Sequence, residues 1–367
     1  MDGFTTDTVE RGRRYHRPRY LSQLAEFLAV TATLALLAFT ELGDVLLPDA
    51  RWWIQALVYP TIVLAVLEVV QLPVAYWRGY LHEHQWQLST QTRGAWFADR
   101  LKGFAISAAI ATILFVGFFA LARSLDAWVL VVAPLAALAI VLLMFIAPVV
   151  LEPVFNKFEP LRDEELANDL RGVADRAGVP VRDVLVADAS KRTTKQNAYV
   201  SGFGATRRVV IFDTLLRAAD PAELRAVLAH ELAHRRYRDV LNFTLIAVGV
   251  AVALVVLLWA ILDNPGDPRN VPTILLVLTL AQPLLLPLLA AVSRRWEYRA
   301  DRFAVLTTRD RHGLEQAFRR LVDANVSDLD PPRIVYWLRY SHPTVPERIA
   351  AIRETARVEG LDERDVA

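Results

Sequence analysis

The segment His230-Glu231-Leu232-Ala233-His234 holds two imidazoles four residues apart, with a carboxylate beside the first. On a helix, residues four apart share a face, so both rings can reach one metal ion. The surrounding sequence has helix-start chemistry. Asp220 is placed as N-cap, Pro221 takes the first helical position and Glu223 stands three residues after the cap. Leu224, Val227, Leu228 and Leu232 follow at helical spacing. Glu231 then stands beside the open metal position, where it can accept a proton from water. The chemistry offered is hydrolysis by metal-activated water, with Glu231 as general base. The chain has no cysteine, so thiolate ligands and disulfides are excluded and any zinc must be held by His and carboxylate.

A catalytic zinc takes three protein ligands and keeps a fourth position open. Glu297, in the stretch Trp296-Glu297-Tyr298-Arg299-Ala300-Asp301, is the candidate third ligand. The stretch follows an apolar block directly and reads as that block's helix continuing out of the membrane. Two apolar blocks separate it from His234, so the chain leaves the site, makes a membrane hairpin over 241–292 and returns to the same side. His230, His234 and Glu297 are therefore the expected ligands of one Zn2+ per chain. Asp301, one helical turn after Glu297, is placed to accept a hydrogen bond from a ligand imidazole and fix its tautomer. The competing reading of Glu297 is an ion pair with Arg294 or Arg299.

What must position these groups is mostly membrane helix. Of 367 residues 54% are hydrophobic and 22% charged. The apolar residues gather in blocks at 24–42, 53–77, 103–122, 127–150, 241–262 and 271–292, each about the length a helix needs to cross a bilayer. Trp53, Trp77, Trp128 and Trp259 stand at block ends, the level of the headgroups. The first block lacks a following cleavage site and reads as a retained anchor. The expected fold is mainly α, a polytopic helical membrane protein of about six spans, with an α+β zinc-protease domain containing a small β-sheet. Residues 1–150 form an N-terminal membrane domain of four spans, and 151–367 form the peptidase domain that includes the membrane hairpin and C-terminal helices.

Orientation follows from the short loops. Arg11, Arg13, Arg14, Arg17 and Arg19 precede the first span, and Arg78, Arg93, Arg100 and Lys102 lie in the 78–102 loop. The alternate connections carry only Arg51, Arg123 and Arg269. The alternation places both termini, the 78–102 loop and the zinc site on the cytoplasmic side of the membrane. A net charge of +1 gives no argument for nucleic acid. Glu68, inside the second block, reads as an internally bonded group more than as a chamber-lining one.

Between residues 183 and 213 the period changes. Stretches at 183–187, 198–200 and 208–212 read as short strands. Gly202 and Gly204 make no dinucleotide fingerprint, because the third glycine and βαβ context are missing. A sheet edge just before the zinc helix would align an extended peptide by backbone hydrogen bonds. Residues after 302 read as helical, ending in an acidic-basic tail.

Several stretches in order resemble a known family, the integral-membrane metalloproteases related to the type I CAAX prenyl endopeptidase. They are RGYLHEHQWQLSTQTRGAWFADRLK over 78–102, FNKFEPL from Phe155, SKRTTKQNAYVSGFG from Ser190 and RRVVIFDTLL from Arg207. HELAH, the Glu297/Asp301 pair and SHPTVPERIAAI from Ser341 complete the set. The resemblance implies a helical membrane protein enclosing a large chamber, with one span fewer here than in eukaryotic members. It makes His230, His234 and Glu297 the ligands and Glu231 the base. It also makes Asn197 a substrate contact and places His342 and Arg348 near the bound peptide and the developing oxyanion. The implied partners are the lipid bilayer and a peptide or protein substrate, prenylated CAAX-type proteins among them. Quality control of damaged membrane proteins is the alternative task, and a non-enzymatic membrane scaffold the alternative class.

Overall fold

The computed structural model describes residues 3–202 and 207–361. Gly204 and the last six residues of the acidic-basic tail lie outside the described residues. The chain begins with four long helices: α1 (Thr6–Phe39), α2 (Trp52–Tyr76), α3 (Arg93–Ser124) and α4 (Val129–Ile146). A π-helical turn at Trp77–Leu81 carries α2 on to His82–Gln85. A polar unit follows with β1 (Phe158–Pro160), α5 (Glu164–Arg176), β2 (Asp183–Ala187), β3 (Ala198–Ser201), β4 (Arg208–Phe212) and α6 (Pro221–Arg236). Then come the hairpin helices α7 (Asp239–Ile261) and α8 (Val271–Thr308), and finally α9 (Arg311–Asn325), α10 (Arg333–Arg339) and α11 (Val345–Val358).

Among the described residues six helices are long and apolar enough to cross a membrane, and they coincide with the six apolar blocks. Four of them run well beyond their blocks, α1 and α8 farthest. α1 starts at Thr6, where the Thr5 hydroxyl accepts the Thr8 N–H at 3.1 Å, and α8 runs on to Thr308. Hydropathy marks only the part of a helix that needs lipid. The polar extensions stay helical because protein covers them: Val9 and Tyr15 are buried on α1, and Ala300, Ala304 and Val305 on α8. Inside the bundle Leu34, Tyr59, Val63, Phe119, Val255 and Ile274 form one core. Trp128, at the start of α4, is buried in that core against the Phe118 ring. Glu68 pairs with Arg100 of α3, which satisfies a carboxylate that would otherwise be costly at membrane depth.

The sheet order is β1-β2-β4-β3. β2 runs parallel to β4, with Leu185 opposite Val210, while β1 and β3 are antiparallel edge strands. β1 was not expected. Three residues ending in proline give no alternating pattern, and proline is tolerated because the strand is an edge. Val209 and Ile211 pack with Leu170 and Val173 of α5, Leu232 of α6, Leu314 and Phe318 of α9 and Ile352 of α11. That core clamps α6. Its start is fixed by the capping box, in which the Glu223 carboxylate accepts the Asp220 N–H at 2.8 Å.

Candidate metal centre

α6 and α8 lie against each other so that His230, His234 and Glu297 bring one ligand atom each within 4.8 Å of one another. The two Nε2 atoms are 3.3 Å apart. Glu297 Oε2 is 3.3 Å from His230 Nε2, and Oε1 is 3.4 Å from His234 Nε2. Each imidazole is fixed from behind. His230 Nδ1 lies 2.9 Å from Asp301 Oδ1, and His234 Nδ1 lies 2.9 Å from Asp239 Oδ2. A carboxylate only accepts, so both Nδ1 atoms donate, and both Nε2 lone pairs turn toward the shared point.

A metal fits this donor set. Glu297 is 3% exposed, and its Oε2 is a buried oxygen without a hydrogen-bond partner. An orphaned carboxylate oxygen at that depth is costly, and two imidazole nitrogens facing each other add to the cost. A cation among the three atoms offsets both. Burial alone would lower the His230 imidazole, yet the neighbouring Asp301 and Glu297 carboxylates raise it to about 9. Any metal at Nε2 must therefore displace a proton.

Glu231 is partly exposed on the same helix. Burial raises its carboxyl above the usual range, while the His230 and His234 charges pull it back. A carboxylate held in this way is a better proton acceptor than one in water. His342 Nε2 is 3.2 Å from Glu297 Oε1, its Nδ1 is 2.8 Å from Ser341 Oγ, and the ring is exposed toward the site.

Arg348 is buried, and its guanidinium makes two hydrogen bonds to Asp301 at 2.8 and 2.6 Å. Its Nη2 also lies 3.4 Å from Glu297 Oε2. Burial works against the charge, but Asp301 and Glu297 more than restore it and raise the guanidinium above its ordinary value. Arg348 reaches the site as the brace of Asp301. Asn197 stands just before β3, where its Oδ1 accepts the Ala198 N–H at 2.9 Å. With His342 and Arg348 it lines a cavity of about 810 Å³, walled on its far side by Tyr15, Arg19 and Tyr20 of α1.

Two features of the centre escaped the sequence. The first is Asp239, which is 3% exposed and paired with both His234 and Arg299. Its only signal was an acidic residue at the start of an apolar block. The second is the α1 wall. It depends on a helix extending beyond its apolar block, and no local pattern announces that.

A helix-borne pair of histidines closed by a carboxylate from a returning membrane helix defines a membrane metallopeptidase. Residues 160–356 match the model of peptidase family M48, and residues 4–157 match "CAAX prenyl protease N-terminal, five membrane helices". The chain belongs to peptidase family M48, and it is a metalloendopeptidase. Within residues 4–157 it has four candidate spans among the described residues. The uncharacterized metalloprotease YhfN of Bacillus subtilis is 30% identical over 322 residues, 81% of this chain and 73% of that protein. CAAX prenyl protease 1 of Saccharomyces cerevisiae is 30% identical over 335 residues, 81% of this chain and 72% of that one. The crystal structure of S. mikatae Ste24p superimposes with a TM-score of 0.79 at 24% identity, covering 96% of this chain and 90% of that one, a likeness of fold.

Proposed function

We propose that the chain is a zinc endopeptidase in which His230, His234 and Glu297 hold one Zn2+ and Glu231 is the general base. The observation that carries this reading is the convergence of two Nε2 lone pairs and an orphaned Glu297 oxygen within 4.8 Å, each imidazole oriented by a carboxylate. Bound there, zinc supplies Lewis acidity, lowering the pKa of a water toward ~7 and polarising a carbonyl. Glu231 accepts the proton released as water attacks the scissile carbonyl carbon, then delivers it to the leaving amine nitrogen. His342, exposed beside Glu297, donates to the developing oxyanion. Arg348 stabilises the same charge from behind and keeps Asp301 against His230. Asn197 lines the 810 Å³ cavity, and together with the adjacent β3 edge it would align the peptide backbone.

The substrates are peptides or membrane-associated proteins. The name of the yeast relative points to prenylated CAAX-type proteins. The membrane domain ends near residue 150, and the site and both termini face the cytoplasm, on the distribution of Arg and Lys among the short loops.

Metal analysis beside peptide hydrolysis tests the reading. Wild type should carry about one zinc per chain, as expected of a catalytic site. His234→Ala should lose both metal and activity, and Glu231→Gln activity alone. Full activity in His234→Ala would end it. Cleavage of a farnesylated reporter but not its unlipidated form supports prenylated substrates, whereas preference for unfolded membrane proteins supports quality control.

A further inference from the structure

α10 is a short helix whose apolar side faces outward. Ile334, Trp337 and Leu338 fall at i, i+3 and i+4, which is one helical face, and they are 68%, 62% and 39% exposed. Arg333, Arg339 and nearby Arg295 are also exposed. The inward side is Tyr336, whose ring lies under the Arg294 guanidinium at 4.9 Å, and the same guanidinium reaches the Trp337 ring at 5.5 Å.

Two spanning helices fix the depth of α10. From α8, Arg294 Nη1 donates to the carbonyls of Tyr336 at 3.3 Å and Tyr340 at 2.7 Å. Arg294 follows the apolar block 271–292 by two residues, about 3 Å along a helix axis. From α1, the Tyr20 hydroxyl is 2.6 Å from that of Tyr340. Tyr20 precedes the block 24–42 by four residues, about 6 Å. Both markers put α10 where the spans leave the hydrocarbon, on the side that carries the candidate metal centre. An apolar face with a tryptophan, flanked by arginines at that level, has the composition of a helix lying in the plane of the membrane surface.

We propose that α10 docks in the phospholipid headgroup layer, its apolar face in the acyl boundary and its arginines on the phosphates, and that this docking holds His342 in place. His342 follows the end of α10 by three residues and lies 3.2 Å from Glu297. On the other side, the Tyr336 hydroxyl donates to Glu347 at 3.0 Å. Glu347 closes the capping box of α11 and is the neighbour of Arg348. At seven residues α10 is too short to hold its own helix in water. The bilayer covers what the protein leaves exposed of Ile334, Trp337 and Leu338, and the enzyme is complete only at that surface. The coupling to His342 rests on the function proposed above; the docking does not.

The absence of cysteine lets a single Ile334→Cys variant of the full chain carry one nitroxide label. In nanodiscs of phosphatidylcholine with phosphatidylglycerol, power saturation should show that label reached by oxygen and shielded from an aqueous nickel chelate. A label at Arg182→Cys, on a side chain 71% exposed in the polar unit, should show the reverse. Equal nickel access at both positions overturns the docking, as does shielding of position 334 from both reagents, the mark of a protein partner or second copy. For the coupling, Trp337→Asp should slow hydrolysis of a short soluble peptide at least tenfold with zinc content unchanged, and Trp337→Phe should restore it. Wild-type turnover in Trp337→Asp overturns the coupling, and the label readout then still decides the docking.

Discussion

His234 and Asp239 are five residues apart and belong to different helices, yet His234 Nδ1 lies 2.9 Å from Asp239 Oδ2. The contact exists because α6 stops at Arg236 and Arg238 takes a left-handed conformation, φ 60°, that turns the chain back toward the ring. A residue with a Cβ pays roughly 1–2 kcal/mol for that conformation. Arg299 offsets it by pairing with Asp239 while lying 4.2 Å over the Tyr237 ring.

Removing that partner frees the tautomer and the rotation of the His234 ring, a proposed zinc ligand. Asp239→Ala is therefore expected to weaken zinc about 10–100-fold, read by titration against a competing chelator. Arg238→Gly relieves the backbone strain and should leave zinc affinity near wild type. Unchanged affinity in Asp239→Ala would show that the carboxylate does not orient the ligand.

Glu231→Gln keeps the shape of the side chain and removes its basicity. Turnover should fall about 10²–10⁴-fold, with zinc content and melting temperature unchanged. If zinc is lost together with turnover, Glu231 is holding the metal site and is not simply moving a proton.

In the proposed function a bound zinc would join α6 to α8, so chelation should also loosen the fold. At a free zinc concentration about 1,000 times the dissociation constant, binding contributes roughly 4 kcal/mol. A chelator should lower the melting temperature of wild type, and added zinc should restore it. His234→Ala should melt at the lower temperature and ignore the chelator. A chelator-sensitive His234→Ala would mean that stabilising metal binds elsewhere.

The parts of this architecture legible in sequence are those set by local pattern. Apolar blocks of bilayer length fix the spans, and Asp220, Pro221 and Glu223 fix the start of the helix that presents His230 and His234. What stayed hidden depends on partners distant in sequence. The polar ends of α1 and α8 are helical because other elements bury Tyr15 and Ala304. Arg348 reaches Asp301 across 47 positions, so no spacing announces the pair. Asp239 needs a left-handed arginine, a conformation that sequence does not favour.

Glu315 ties α9 to α11, the helix that carries Arg348. Its carboxylate accepts from Arg353 at 3.0 and 2.8 Å and from Arg311 at 3.0 Å. Burial alone would raise this carboxyl, but Arg353 and Arg311 together hold it below the usual carboxylate range. The unfolded chain, with a glutamate near pKa ~4.3, then binds the proton more readily than the folded one. The contribution to stability is therefore complete above that range and is lost as pH falls through the lowered folded value. Glu315→Gln should cost about 1–3 kcal/mol at neutral pH, less than a fully buried pair because Arg353 is 39% exposed. Its melting temperature should converge on that of wild type as the buffer is acidified. Two curves that stay parallel down to the acid end would show that Glu315 is not titrating in this window.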